Sequence, residues 1–182
     1  LDEIDRLKGV LRATPIGDNS RPENSAEHSW HIAMYALVLA DHAGPGVDIT
    51  RVIKMLLLHD IVEIDAGDMP IHMAHDAEAH AVKEAAAAER LFGLLPADQA
   101  AEFRAIWEEF EAALSADAVF AKSLDRVQPL LQNLAVGGGS WVDYDVTMEQ
   151  IDSRVGVKVN RGAPRIWQFV RARVAPFFSL SS

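Results

Sequence analysis

The 182-residue sequence contains no cysteine, which excludes disulfide bonds, thiolate zinc sites and cysteine nucleophiles. This absence agrees with a reducing compartment, and we expect a cytoplasmic protein. Aromatic residues make up only 7% of the chain while alanine and leucine are abundant, a balance that favours helices over sheets. No apolar run approaches the ~20 residues of a membrane span, and the charged stretch 1–10 is not typical of a signal peptide. We therefore expect no contact with membranes.

Basic residues are also scarce relative to acidic ones. The chain has 17 Lys and Arg against 27 Asp and Glu, which gives a formal net charge of −10. Proteins that bind polymeric nucleic acid usually present a basic face, whereas the Lys and Arg residues here are scattered along the sequence. The composition therefore disfavours a DNA or RNA partner, and part of the negative excess is consistent with carboxylates gathered around a cation.

Apolar residues recur with a helical period over most of the chain, and residues 14–24 are predicted as a loop because they are rich in Pro, Gly, Asn and Ser. Ser25 and Thr50 are the expected caps of two helices. No β-pattern of useful length is present. We expect a single all-α domain over 1–182, a compact bundle of about seven or eight helices, with C-terminal helices in 147–178 packed on it. The predicted helices are approximately 1–11, 25–43, 51–65, 77–95, 98–114, 116–134, 147–155 and 164–177.

Side chains of metal-binding types occur on three separate predicted helices, as Glu27-His28, His59-Asp60 and Asp125. His59 and Asp60 directly follow three leucines, so they emerge at the end of a buried helix. An ionised Asp buried beside an imidazole is costly unless something compensates its charge. A divalent cation does so, because it attracts the carboxylate and accepts the imidazole lone pair. The joint pattern therefore indicates a metal site, although each residue alone is common in ordinary helices.

These residues stand in segments that resemble one branch of the HD superfamily of metal-dependent phosphohydrolases, which includes bacterial 5′-deoxynucleotidases and human HD-domain-containing proteins. The resemblance is carried by 21–29 (RPENSAEHS), 58–68 (LHDIVEIDAGD) and 124–126 (LDR), and it covers most of residues 3–135. It implies an HD-domain bundle that releases phosphate from (deoxy)nucleoside 5′-monophosphates by attack of a metal-bound water. Because related proteins are typically dimers, it also implies a homodimer.

By the same resemblance, the ligands of one divalent ion would be His28, His59, Asp60 and Asp125. Two nitrogens and two carboxylates suit six-coordinate Mn²⁺, Co²⁺, Fe²⁺, Ni²⁺ or Mg²⁺ better than structural zinc. The family assigns Glu63 to catalysis, and a carboxylate there fits a base that orients or deprotonates the attacking water.

Four further residues are candidates for the site: Asp68 for catalysis, and Arg21, Lys122 and Arg12 for substrate binding. Asp68 would, by resemblance, help to protonate the leaving alkoxide or steady the water. Arg21 lies in the predicted loop before the first histidine and has a guanidinium that can grip phosphate with two hydrogen bonds. Lys122 lies nearly one turn before Asp125 and could neutralise phosphate. Arg12 is the nearest counterpart of an Arg-Trp pair with which bacterial relatives select deoxyribose; the next residue here is Ala13, so strict selection of 2′-deoxy substrates is not expected.

Two other functions remain open. A two-metal HD phosphodiesterase or oxygenase needs additional histidines, and His72, His75 and His80 occur between the His-Asp pair and Asp125. A non-catalytic binding module in which one cation staples three helices is the second alternative. The spare carboxylates Glu63 and Asp68 argue against it, because a closed structural site needs no extra acids.

Overall fold

The computed structural model describes residues 1–70 and 77–180. Helices dominate this part of the chain, as predicted, and one small antiparallel sheet lies near the N terminus. The elements are α1 (Asp2–Asp5), β1 (Leu11–Pro15), β2 (Pro22–Asn24), α2 (Ser25–Val38), α3 (Ile49–Leu58), α4 (Glu63–Ala66), α5 (Ala77–Phe92), α6 (Ala97–Ala112), α7 (Ala116–Ala135), α8 (Ser140–Asp143), α9 (Met148–Ile151), α10 (Val157–Gly162) and α11 (Pro164–Leu180). Short 3₁₀ turns cover Arg6–Gly9, Ala40–His42 and His59–Val62, and Asp152–Gly156 is a π-helical turn.

The sheet is the main feature that sequence patterns did not predict. β1 and β2 pair antiparallel, with Leu11 opposite Asn24 and Pro15 opposite Pro22. The expectation of a loop over 14–24 was therefore wrong at both ends of that range. Strands of five and three residues with proline at their ends are too short to show an alternating pattern. The hairpin matters because it sets Arg12 beside the start of α2.

The helix start at α2 differs from the expected one by a single residue. Asn24, not Ser25, is the N-cap: its side chain accepts from the Glu27 N–H, and the Glu27 side chain accepts from the Asn24 N–H. This reciprocal pair is a capping box. The Ser25 hydroxyl is thereby free for another contact, described below. The helix ends at Val38 rather than near residue 43.

The predicted helix 51–65 is interrupted after Leu58. It begins at Ile49, with Asp48 rather than Thr50 as its cap, and a 3₁₀ turn follows at His59–Val62. The His59 ring Nδ1 lies 2.9 Å from the Leu56 carbonyl, the acceptor that the residue-60 N–H would use in a continuous α-helix. The break therefore coincides with the two residues of the His-Asp motif.

The long helix α7 is the centre of the core. It packs against α2, α3, α6, α10 and α11, and its buried face includes Phe120, Leu124 and Val127. Ile32 of α2 and Met55 of α3 belong to the same fully buried cluster. In the described residues, no helix combines the length and apolar character needed to cross a bilayer.

The C-terminal helices pack onto this core, and the helix expected at 147–155 extends further. α9 continues through the π-helical turn into α10, so the segment is helical from Met148 to Gly162. In α11, the side chains of Ile166, Val170 and Val174 are buried, whereas Phe169 is exposed. Most of this helix therefore serves core packing rather than a free apolar surface.

Gly156 allows the π-helical turn to approach α11, which gives a test of the packing. A Cβ added at Gly156 would lie 2.3 Å from Trp167 Cζ2. Because both groups belong to packed helices, we expect Gly156→Ala to lower the free energy of unfolding by about 1–3 kcal/mol, measured by urea denaturation. Gly9→Ala is the matched control, since nothing lies within 4 Å of its added Cβ. Equal stability of the two variants would contradict this account of the packing.

Candidate metal centre

The four predicted metal ligands come together at one point between α2, the 3₁₀ turn after α3, and α7. His28, His59 and Asp60 each offer one ligand atom, and these atoms lie within 4.8 Å of one another. Asp125 Oδ1 lies 3.0 Å from His28 Nε2 and 3.8 Å from His59 Nε2. Residues nearly a hundred positions apart thus share one buried centre.

The orientation of the two imidazoles fits a shared cation. His59 Nδ1 lies 2.9 Å from the Leu56 carbonyl, and His28 Nδ1 lies 3.1 Å from Gln128 Oε1. These acceptors hold the proton on Nδ1 of each ring and leave Nε2 directed at the centre. His59 Nε2 is buried and has no hydrogen-bond partner among the described residues, although Asp60 Oδ1 is 2.8 Å away. A nitrogen lone pair and a carboxylate so arranged fit a common metal ion.

Negative charge is concentrated around this centre. Asp60, Asp125, Glu63 and Asp68 are four acids, and Arg12 is the base that contacts two of them, with Nη1 3.0 Å from Asp60 Oδ2 and 3.3 Å from Asp68 Oδ1. Burial opposes it, but the Asp60 and Asp125 carboxylates raise the pKa of His59 to about 9. A divalent cation would offset the same excess of negative charge.

Glu63 is held beside the ligand set without belonging to it. It lies on the first turn of α4, and the Ser25 hydroxyl donates to its Oε2 at 2.6 Å. Burial, together with Asp60 and Asp68, raises the pKa of Glu63 to about 9. Burial also raises the pKa of Asp68 above its ordinary value. Both carboxyl groups therefore have environments that suit proton transfer.

A cavity of about 330 Å³ opens onto these groups. Its polar wall includes His59, Asp60, Glu63, Asp68 and Asp125, together with the predicted substrate contacts Arg12 and Lys122. The other lining residues include Leu130, Trp141, Tyr144 and Val155, so part of the wall is aromatic and apolar. Such a cavity can hold a small molecule with a charged end and an apolar end.

Two basic side chains of α7 line the cavity, and they differ in their polar partners. Lys122 Nζ lies 3.1 Å from Glu111 Oε2 and 4.7 Å from the centroid of the Phe110 ring. Arg126 Nε is buried and has no hydrogen-bond partner among the described residues. Arg126 was not among the predicted substrate contacts, yet it has an unused donor at the cavity.

Two residues of the first motif have other positions than expected. Arg21 does not line the cavity; its side chain is 50% exposed, and it donates two hydrogen bonds to Glu27 at 2.8 and 2.6 Å. Glu27 itself belongs to the capping box of α2 rather than to the buried centre. The loop before α2 folds as a hairpin, and its turn carries Arg21 away from the metal ligands.

The additional histidines give little support to a second metal site. His72 and His75 lie outside the described residues. His80, on α5, lines the cavity with its Nε2 3.3 Å from Glu84 Oε1. Within residues 1–70 and 77–180, the group that could hold a metal ion is His28, His59 and Asp60, with Asp125 adjoining it.

The comparisons agree with this fold. The family model for the HD domain matches residues 4–167. A crystal structure from Magnetospirillum magnetotacticum MS-1, described as a predicted metal-dependent phosphohydrolase, superposes with a TM-score of 0.90 at 50% identity, over 97% of this chain and 90% of that one. The chain belongs to the HD-domain family.

Two named relatives are enzymes of one kind. The human 5′-deoxynucleotidase HDDC2 is 33% identical over 131 residues, which is 71% of this chain and 62% of the human protein. A 5′-deoxynucleotidase of Photorhabdus laumondii is 26% identical over 98% of this chain and 91% of its own length. The match thus spans somewhat less than two thirds of the human protein.

Binding of a divalent ion can be measured without any substrate. Co²⁺ or Mn²⁺ added to chelator-treated protein should raise its Tm, because a ligand at 100 times its Kd stabilises the folded state by about 2.7 kcal/mol. Asp125→Ala should lose most of this shift. His42→Ala removes an exposed imidazole and should keep the shift in full. An Asp125→Ala variant with an undiminished shift would place the ion elsewhere.

Proposed function

We propose that this protein is a metal-dependent phosphomonoesterase that releases phosphate from (deoxy)nucleoside 5′-monophosphates. The observation that carries the proposal is the convergence of two imidazoles and two aspartates beside a cavity. His59, Asp60 and Asp125 line this cavity, and so does a further carboxylate, Glu63. The family match and the relatives named as 5′-deoxynucleotidases support the same reaction class.

The cation would be held by His28, His59, Asp60 and Asp125. Bound there, one divalent ion such as Mn²⁺, Co²⁺, Fe²⁺, Ni²⁺ or Mg²⁺ would supply Lewis-acid chemistry that offsets charge on the phosphoryl group and makes a nearby water more acidic. The mixed nitrogen and oxygen donors suit these ions. Glu63 and Asp68 lie outside that set and remain available for proton transfer.

The protein groups divide the proton transfers of ester hydrolysis between them. With a bound cation offsetting the negative charge that raises its pKa, Glu63 would be ionised and would accept a proton from the attacking water, whose oxygen forms the new bond to phosphorus. The bond between phosphorus and the ester oxygen breaks, and Asp68 gives its proton to the leaving alkoxide. The hydroxyl of Ser25 holds Glu63 in place at 2.6 Å, and Arg12 holds Asp68 at 3.3 Å. The two carboxyl groups thereby keep separate roles.

The basic residues of the cavity would bind the substrate phosphate. Arg126 has an Nε that no described residue partners, and Lys122 lines the cavity from the preceding turn of α7. Arg12 also lines the cavity, but its guanidinium contacts two carboxylates, so it positions them as well as offering charge to substrate. Guanidinium groups suit phosphate because they donate hydrogen bonds in pairs.

The aromatic part of the wall would receive the nucleoside. Trp141 and Tyr144 line the cavity, and Trp141 Nε1 is buried with no hydrogen-bond partner in the described chain. Ala13 lines it too, and by the resemblance it is the nearest counterpart of a deoxyribose-selecting Trp of bacterial relatives. A small side chain there supports acceptance of both ribo- and deoxyribonucleotides.

A homodimer and a cytoplasmic location stay predictions. The α2 residues Trp30, Met34, Leu37 and Val38 are exposed and recur at helical spacing, so they form an apolar face that is a candidate dimer surface.

Hydrolysis can be tested with a panel of nucleoside 5′-monophosphates. With Co²⁺ or Mn²⁺ the protein should release inorganic phosphate, and EDTA should stop the release. Glu63→Gln should lower kcat by about 10²–10⁴-fold, because the general base is lost, while the Co²⁺-induced shift in Tm remains. Glu102→Gln, on the surface beside Lys54, is the control and should retain activity.

No phosphate above blank with any nucleotide would contradict the proposal. Full activity of Glu63→Gln would instead agree with a hydrolase but contradict the role of Glu63 as its general base. A protein that binds Co²⁺ without turnover would favour the metal-stapled binding module.

The phosphate contact can be tested with a matched pair of arginines. Arg126→Ala should raise KM by about 10-fold or more at saturating metal, since a hydrogen bond to a charged group contributes about 1.5–3 kcal/mol. Arg21→Ala should leave KM unchanged, because Arg21 pairs with Glu27 outside the cavity. Steady-state kinetics on one nucleotide decides between them, and the reverse pattern would place the phosphate near Arg21.

A further inference from the structure

The two imidazoles of the centre are supported in different ways. The His59 ring donates to a backbone carbonyl, that of Leu56. The His28 ring, which is fully buried, donates instead to a side chain, the amide of Gln128 at 3.1 Å. An amide can present either oxygen or nitrogen to its neighbour, and only the oxygen can accept the Nδ1–H. Something must therefore hold the Gln128 amide in one orientation.

A buried carboxylate supplies that constraint. Gln128 Nε2 donates to Glu23 Oε1 at 2.8 Å, and Glu23 is 2% exposed. Because an ionised carboxylate only accepts hydrogen bonds, the nitrogen end of the amide faces Glu23 and the oxygen end faces His28. His31 Nδ1, 3.1 Å from Gln128 Nε2, and Gln132 Oε1 offer further acceptors at the same end. Turning the amide over would put its N–H groups against the His28 N–H.

Helix geometry brings these groups into register. Asp125 and Gln128 are three residues apart on α7, so they share one face, and His28 and His31 are likewise three apart on α2. The Asp125 carboxylate meets Nε2 of His28, and the Gln128 amide meets Nδ1 of the same ring. Glu23 stands at the end of the hairpin, one residue before the cap of α2.

We propose that Gln128 is a positioning residue of the metal centre, and that Glu23 orients its amide so that His28 presents Nε2 to the cation. The inference rests on the proposed ligand set and on no step of hydrolysis. The proposal gives a role to Glu23 and Gln128, two buried residues that are not among the proposed metal ligands. A buried acid and two buried glutamines are otherwise unexplained in an apolar core.

Metal affinity and the Co²⁺ absorption spectrum test this role without substrate. Gln128→Leu removes the acceptor for His28 and should weaken Co²⁺ binding by about 10–100-fold, as loss of such outer contacts does, and should alter the visible spectrum. Glu23→Gln allows the amide of Gln128 to turn over and should weaken binding in the same direction. Ser123→Ala is the matched control: it removes a buried polar group of α7 whose hydroxyl donates to the Val119 carbonyl and not to Glu23, Gln128 or His28, and it should keep both affinity and spectrum.

The exchange variant Glu23→Gln/Gln128→Glu separates positioning from general loss of core packing. A carboxylate at 128 accepts the His28 N–H, and an amide at 23 donates to that carboxylate, so affinity and spectrum should return towards those of the unmodified protein. If Gln128→Leu does not fold, Glu23→Gln and the exchange variant decide the question.

Three results would overturn the proposal. They are unchanged Co²⁺ affinity in Gln128→Leu or, if that variant does not fold, in Glu23→Gln; an equal loss of affinity in Ser123→Ala; and an exchange variant that recovers nothing. Failure of the unmodified protein to bind Co²⁺ at all would overturn the proposed ligand set as well. Metal binding without nucleotide turnover would contradict the proposed function and leave the role of Gln128 and Glu23 in place.

Discussion

The concentration of acidic side chains in a largely buried part of the molecule is the constraint on which the structure depends. Asp60 and Glu63 are buried, and Asp125 lies between two imidazoles. Ionised carboxylates in such a place cost several kcal/mol each unless they are compensated. Arg12 compensates part of the charge, and the geometry of the two Nε2 atoms fits a cation for the rest. The helices that meet here are thus arranged around an electrostatic requirement as much as around an apolar core.

This constraint explains several local departures from regular structure. The helix through Leu58 changes to a 3₁₀ turn at His59, where the ring takes a backbone carbonyl as its acceptor. The hairpin before α2 brings Arg12 onto Asp60, and its turn and second strand lie within 14–24, where composition predicted only a loop. The capping box leaves the Ser25 hydroxyl free to hold Glu63. Each departure places one polar group at the centre, and the apolar faces of α3 and α7 supply the burial that holds them there.

The sequence predicted the helical class and the residues that meet at the centre, because both leave a signal in the chain itself. Helical periodicity is local, and the His-Asp pair stands at the end of a buried run. What it did not predict depends on distant parts of the chain. Arg21 was expected at the phosphate, but the turn of a short hairpin places it on Glu27. Trp141 and Tyr144 follow three glycines, and no periodicity links them to a cavity formed mainly by other helices. Gln128 could have been found, since it shares a helix face with Asp125.

The unequal support of the two histidines has a consequence for how such a centre can change. A ring that donates to a backbone carbonyl keeps its tautomer whatever the neighbouring side chains are, so the His59 half of the site is determined by the main chain of α3. A ring that donates to an amide depends on that amide and on whatever orients it, so the His28 half is determined by side chains that single substitutions can alter. Outer partners of metal-bound histidines influence both affinity and ligand basicity. We therefore expect the preference of this centre among divalent ions to depend on Glu23, just before α2, and on Gln128 of α7. The His59 side of the centre, held by the main chain of α3, is expected to contribute the same geometry whichever side chains surround it.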